Sequence, residues 1–215
     1  MARDESPPFE RGASYFGPGA TITADDVTAT AHIEGMEWVF EDIDLTAGPG
    51  AKMKRTGRRV KCRAVRNVGA AALLPKRLVT FQASGVHFGK RVDGYADTTA
   101  EACYPLDEWL PAAGLAVNDI GWIVVEGPAM VLTNLANAEG NDISIGEKLV
   151  ALTAVTSGAT TAGRAAGQAI LGAATSGVTD LTDVFAAAQN FIGWALSART
   201  TNNTNSDVLV QVGRL

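Results

Sequence analysis

The sequence predicts a mainly β protein: a compact β-barrel or β-sandwich with an extended N-terminal arm and one or two short helices. Three observations carry this. Short apolar runs recur along the 215 residues, separated by turn chemistry. Glycine (23) and proline (8) are numerous enough to punctuate many short elements. An apolar fraction of 47% against 19% charged residues supplies a core and sets the chain apart from highly charged disordered sequences. At about 150 residues per domain, the length fits one β-rich domain over 31–215 preceded by an arm over 1–30.

The arm is expected from Pro7, Pro8, Gly12, Gly17, Pro18 and Gly19 and from the lack of apolar periodicity; such a segment orders against a partner. Strands are then expected at 36–40, 59–65, 78–81 and 86–96. In 59–64 the bases Arg59, Lys61 and Arg63 alternate with Val60, Cys62 and Ala64, which places charge on one strand face and small apolar side chains on the other. Residues 105–110 (PLDEWL) begin with one proline and are stopped by Pro111, enough for about one helical turn.

Residues 120–125 (IGWIVV) are apolar at successive positions, as in a strand covered on both faces. Gly127-Pro128 reads as a turn that separates this strand from another at 130–132. A strand at 143–152 precedes an insertion over 153–178 in which 20 of 26 residues are Ala, Thr, Gly or Ser. A loop is favoured there over a closely packed small-residue element. Leu181, Val184, Phe185 and Ala188 sit at i, i+3, i+4 and i+7 behind Thr179, which predicts a short helix over 179–190. Strands at 191–196 and 208–212 close the chain.

Charge is segregated along this pattern. Residues 52–91 hold twelve of the 18 Lys and Arg and no acid, leaving six bases against all 23 acids elsewhere, a net of −17 in an otherwise acidic chain. The densest part comprises Lys52, Lys54, Arg55, Arg58, Arg59, Lys61, Arg63 and Arg66. Two readings stand side by side. The ribbon is neutralised within the protein by Glu34, Glu37, Glu41, Asp42 and Asp44, or it docks an acidic partner. A protein surface suits that partner better than nucleic acid. Only Phe81 and Phe88 could stack on bases within the 52–91 segment, and the rest of the chain repels phosphate.

Residue types that carry chemistry are sparse. Cys62 and Cys103 are too few for a disulfide scaffold or a four-thiolate zinc site, and His32 and His87 cannot complete a three-histidine site. Residues 84–91 (SGVHFGKR) lack the first glycine and the final Ser or Thr of a phosphate loop. Asp107 and Glu108 are adjacent, and adjacent side chains diverge, so they make poor acid-base partners. The four tryptophans, dispersed along the chain, read as core or interface anchors. No enzyme, cofactor or metal is expected. Residues 1–10 (MARDESPPFE) lack the apolar stretch of about 7–15 residues of a signal peptide, and no run reaches the roughly 20 apolar residues of a membrane span, so cytoplasmic synthesis and no membrane role are expected.

One pattern adds to this reading. Residues 142–151 (DISIGEKLVA), then a small-residue stretch, 192–197 (IGWALS), a polar turn and 208–212 (VLVQV) resemble the capsid decoration, or cement, proteins of tailed-bacteriophage heads. In that family a G-D-x-L strand is followed by a G-x-A-L strand and a hydrophobic closing strand; here Glu147 stands in place of the aspartate. Residues 67–77 (NVGAAALLPKR) and 92–96 (VDGYA) are similar to upstream text of such proteins. The resemblance implies a non-enzymatic virion protein, made in the host cytoplasm. It would sit outside the head, bridge capsomers of the major capsid protein and form a trimer. The alternatives are a minor head, tail or spike component, or a small cytoplasmic hydrolase using cysteine or carboxylates.

Overall fold

The alternation in 59–64 lies within the longest strand among the described residues. The computed structural model describes residues 18–23, 33–44, 53–96, 103–133, 143–151, 165–167, 191–198 and 207–213. Ten strands run through them: β1 (Glu37–Asp44), β2 (Met53–Asn67), β3 (Leu78–Phe81), β4 (Arg91–Tyr95), β5 (Cys103–Pro105), β6 (Ile120–Leu132), β7 (Lys148–Ala151), β8 (Ala165–Gly167), β9 (Phe191–Ala195) and β10 (Asp207–Val212). They form one sheet in the order β5-β3-β4-β2-β6-β10-β9-β7-β8, with β1 on β2, curled into a half-barrel. The mainly β expectation holds.

Two long strands organise the sheet. In β2, Val60, Cys62 and Ala64 are buried, whereas Arg59 is exposed and Lys61 and Arg63 are half-buried on the other face. β1 runs antiparallel along one edge of β2, pairing Glu37 with Arg63, Val39 with Lys61 and Glu41 with Arg59. Beyond β1 the same edge passes to β4, which pairs in parallel at Arg66 and Asn67. The other edge pairs with β6, Ala64 opposite Trp122. Here the strand gains apolar cover on both sides. Ala64 packs with Trp122, and Val65 packs with Ile123 in a separate cluster, so the two-residue alternation stops.

β6 is continuous from Ile120 to Leu132, and the turn expected at Gly127-Pro128 is not there. Instead, β6 exchanges partners at this dipeptide. β2 pairs with it up to Glu126, and β10 from Gly127 onward. Gly127 has φ +106, and a Cβ there would lie 2.4 Å from the Arg59 carbonyl oxygen. Only glycine meets both conditions, and Pro128, which has no N–H, falls where one ladder ends and the next begins. The sequence signal was real, but it marks a bend inside a strand. The curl continues until opposite parts of the sheet meet. Leu132 N–H donates to the Lys76 carbonyl at 2.8 Å, the Lys76 ammonium pairs with Asp207, and Leu78 and Cys103 share a core with Leu149 and Val208.

Other expectations change. Residues 105–110 are not helical: Pro105 ends β5, Leu106 bridges Ile123, and a turn follows, because burying Leu106 and Leu110 against the sheet outweighs a single isolated helical turn. No helix occurs among the described residues; the one expected at 179–190 lies outside them. Residues 84–90 form a tight turn with Phe88 N–H donating to the Ser84 carbonyl at 2.7 Å, so only 91–95 of the expected 86–96 strand is β. Within the small-residue insertion, 165–167 is the strand β8, and Ala165 is fully buried; side chains this small allow close sheet packing. Within the arm, residues 18–23 belong to the fold. Ile22 forms a two-way bridge with Ile120 (2.9 Å each way), and Ala20 and Ile22 pack on the Trp122 core. The rest of the arm, 1–17 and 24–30, lies outside the described residues.

Gly57 has φ +70 with open space around it, whereas Gly127 combines positive φ with a backbone contact. Gly57→Ala should therefore cost about 1 kcal/mol and Gly127→Ala on the order of 3 kcal/mol or more, as read by chemical denaturation. Equal costs would show that β6 tolerates a side chain at its bend.

Candidate functional site

The β1–β2 ribbon carries most of the charge that the sequence singles out. On its outward face Glu37 lies between Lys61 and Arg63 and forms an ion pair with each. Hydrogen bonds from Lys61 and then Arg63 hold its carboxyl below the ordinary range. The Arg63 guanidinium also sits 5.7 Å from the centre of the Phe81 ring. One step along, the nearly buried Glu34 carboxylate is held between Arg66 and Arg91, which brings the 33–36 turn against β2 and β4.

Arg55 is the most committed base. Its Nη2 lies 2.7 Å from Asp42 and 2.8 Å from Glu108, and its Nη1 also reaches Glu108 at 2.8 Å. The Asp42 and Glu108 side chains are only 3% and 9% exposed. Burial works against the Arg55 charge, but hydrogen bonds to Glu108 and Asp42 outweigh it and raise the guanidinium above its ordinary value. Thr56 Oγ1 donates to Asp42 at 2.6 Å, and Glu108 accepts from Met130 N–H at 3.2 Å. Two carboxylates that would be costly to desolvate alone share one guanidinium.

The eight ribbon bases thus divide. Arg55, Lys61, Arg63 and Arg66 are ion-paired to acids of this chain. Arg58 and Arg59 are exposed; Arg58 donates to Gln211 Oε1 at 2.6 Å, and Arg59 stands opposite Glu41 in the strand register. Lys54 pairs through its backbone with Ile43, and Lys52 lies outside the described residues. Sequence reasoning named Glu34, Glu37 and Asp42 as possible neutralisers. It missed Glu108, 53 residues from Arg55, because nothing local in the chain announces that contact.

Asp107 and Glu108 do diverge, and Asp107 has its own task. It is buried and accepts hydrogen bonds from Gly19 N–H (2.6 Å) and Trp109 N–H (2.9 Å), so it fastens the arm segment to the β5–β6 connection. Burial pushes its carboxyl up to about 6, against those two hydrogen bonds and with help from the Glu108 charge. Both cysteines are buried free thiols. Burial, and then the Asp107 charge, raise Cys62 well above its ordinary value, and burial pushes Cys103 up to about 12. Thiols held this high do not supply a thiolate nucleophile at neutral pH. Among the described residues no group of three or more His, Cys, Asp or Glu could hold a metal ion, and no helix is long and apolar enough to cross a membrane.

Exposed apolar side chains mark two further places. Val86 (76% exposed) and Phe88 (54%) project from the 84–90 turn beside Arg63, and Ile145 (70%) projects from the 143–147 turn. Comparison with protein-family models, curated proteins and solved structures finds no match.

Two outcomes follow. Arg55→Met should destabilise the protein by about 3–5 kcal/mol, since it leaves two buried carboxylates without their cation, whereas Arg59→Met should change stability by less than about 1 kcal/mol; equal effects in denaturant melts would contradict this division. Asp107 has a folded value near 6 and an ordinary value of 3.8, so it favours the fold when protonated and this contribution is lost as pH rises through 6. Between pH 7 and 5 the wild type should gain on the order of 1 kcal/mol relative to Asp107→Asn. Glu37 acts oppositely, below its ordinary 4.5, and so outside this window.

Proposed function

We propose that this chain is a non-enzymatic structural protein of a tailed-phage head, a capsid decoration or cement protein. In this reading it is made in the host cytoplasm and binds the exterior of the assembled shell. Its partner is the major capsid protein, it acts as a trimer, and it stabilises contacts between capsomers. The observation that carries the reading is the division of charge on β2. In a chain that is net −17 outside 52–91, the inner bases of the ribbon are matched by the chain's own acids, while Arg58 and Arg59 stay exposed beside the half-exposed Lys61 and the exposed Val39. Arg58 donates to Gln211 and Arg59 stands opposite Glu41, and both stay exposed on the β1–β2 ribbon, where they are offered to an acidic protein face. Burial raises both thiols and makes them poor nucleophiles, which argues against a cysteine hydrolase. The partial resemblance to cement proteins supplies the particle class.

At about 8 Å screening length in physiological salt, exposed charges act through their summed field, so binding should be salt-sensitive. Reversing Arg58 and Arg59 together should weaken binding to purified tailed-phage heads assembled without the protein by about tenfold at low salt, more than reversing Lys148 and Arg164, measured per folded molecule because the Arg58–Gln211 hydrogen bond and the Glu41–Arg59 pairing are also altered. Reversing Lys61 and Arg63 should instead lower the melting temperature, because both pair with Glu37. Unaltered head binding by the Arg58/Arg59 variant would remove the docking role.

A further inference from the structure

The two exposed apolar turns carry opposite charge settings. The 84–90 turn lies in the 52–91 segment, which has no acid; its Phe88 is next but one to Lys90, and Arg91 follows. The 143–147 turn ends a stretch, 134–147, that contains Glu139, Asp142 and Glu147 and no base. Lys148, the next residue, is turned onto the Trp194 ring, 5.2 Å from its centre.

Both turns are held firmly. In the first, Phe88 N–H and His87 N–H donate to the Ser84 carbonyl and Lys90 N–H to the His87 carbonyl, Gly89 takes φ +80, and the Phe88 ring packs edge-on against Phe81 with centroids 5.4 Å apart. In the second, Glu147 Oε2 accepts from Ser144 N–H at 2.9 Å, Gly146 takes φ +84, and Gly146 N–H and the Glu147 carbonyl both bond Ala195 of β9, at 2.8 Å each. Neither turn has to lose much conformational freedom to bind, which favours an interface anchor over a mobile loop tip. Each presents a large apolar side chain that this chain leaves mostly in solvent. In the strand order they flank β3–β4 and β7, with β2, β6, β10 and β9 between.

We propose that the Val86–Phe88 turn of one copy docks on the Ile145–Glu147 turn of the next, Lys90 facing Glu147, in a head-to-tail homo-oligomer. Different patches meet across such a contact, so a pair of copies keeps one free turn of each kind, and the assembly closes into a ring when the rotation allows it. The patch is small, so the association is weak and shows at high protein concentration. The contact supplies a surface for the trimer of the shell reading but does not rest on the phage assignment, since it is a property of the isolated chain.

Sedimentation equilibrium of the full chain at about 10–500 µM, a range suited to weak contacts, tests it with four samples: wild type, Phe88→Ser, Ile145→Ser, and an equimolar mixture of the two variants. The wild-type mass should rise with concentration and should fall on adding salt. Each variant alone should lose at least about tenfold in association. The mixture should give dimers that grow no further, because Ile145→Ser supplies the intact Phe88 turn and Phe88→Ser the intact Ile145 turn. Because Phe88 touches Phe81, Val86→Ser serves as a second lesion in the same turn that leaves this ring contact alone, with melting curves confirming the fold. Lys90→Glu should also abolish association and Glu147→Lys added to it should restore it. A wild type that is monomeric throughout, variants that associate like wild type, or a mixture that stays monomeric would each overturn the proposal. Failure to bind heads with self-association intact would count against the shell reading alone.

Discussion

The structure depends on β6 remaining one strand while it serves two ladders. Its first half is sandwiched between apolar clusters, with Trp122 edge-on to Phe40 at 5.4 Å on one side and Ile123 packed with Val65 on the other. Its second half pairs with β10 and places Val131 in the core shared with Leu149 and Val208. Passing from one role to the other requires a sharp local bend without loss of chain continuity. Gly127 supplies it by occupying a backbone region closed to other residues and by letting the Arg59 carbonyl approach closely. A break here would leave two open sheets, each with an exposed ladder edge, instead of one curled sheet.

The second organising fact is electrostatic. A strand as basic as β2 can lie against a core only if its inward and half-buried cations find acids, because an unpaired charge near the interior costs several kcal/mol. The acids come from three places: the 33–36 turn, β1 and the 107–109 turn. Each ion pair therefore also fixes the position of a neighbouring element: Glu34 holds β4 through Arg91, and Glu108 holds the β5–β6 connection through Arg55. Among the described ribbon bases, Arg58 and Arg59 remain exposed. The ribbon is thus a clasp on both sides of a short exposed stretch at Arg58 and Arg59, and neutralisation within the chain, one of the two readings that the sequence left open, holds for Arg55, Lys61, Arg63 and Arg66.

How far the sequence revealed this follows from the range of each signal. Two-residue alternation in 59–64 and continuous apolar character in 120–125 are local, and both read correctly as a strand with one charged face and a strand covered on both. Gly127-Pro128 is equally local but ambiguous, since the conformational freedom that makes a turn also makes a strand bend, and only the partner strands distinguish them. Residues 105–110 carry helix punctuation, yet Leu106 and Leu110 are claimed by a cluster built from distant strands. Arg55 with Glu108, Gly19 with Asp107 and Lys76 with Asp207 join residues 53, 88 and 131 positions apart. Pattern reading has no access to such pairs, because register and curl decide them. The exposed Val86, Phe88 and Ile145 were legible as apolar residues, but their exposure was not.

Both surfaces gain meaning only if the two parts of the sheet move as one body, so that the 84–90 and 143–147 turns keep a fixed angle. Residue-resolved native-state hydrogen exchange tests this. Amides on the two sides of the bend, at Trp122 and Val124 and at Ala129 and Val131, should open with free energies that agree within about 0.5 kcal/mol and equal the global unfolding value. Exchange of 129–131 together with β7, β9 and β10 through a separate, cheaper opening, while 120–125 stays protected, would show that β6 joins two independent halves and would contradict the account.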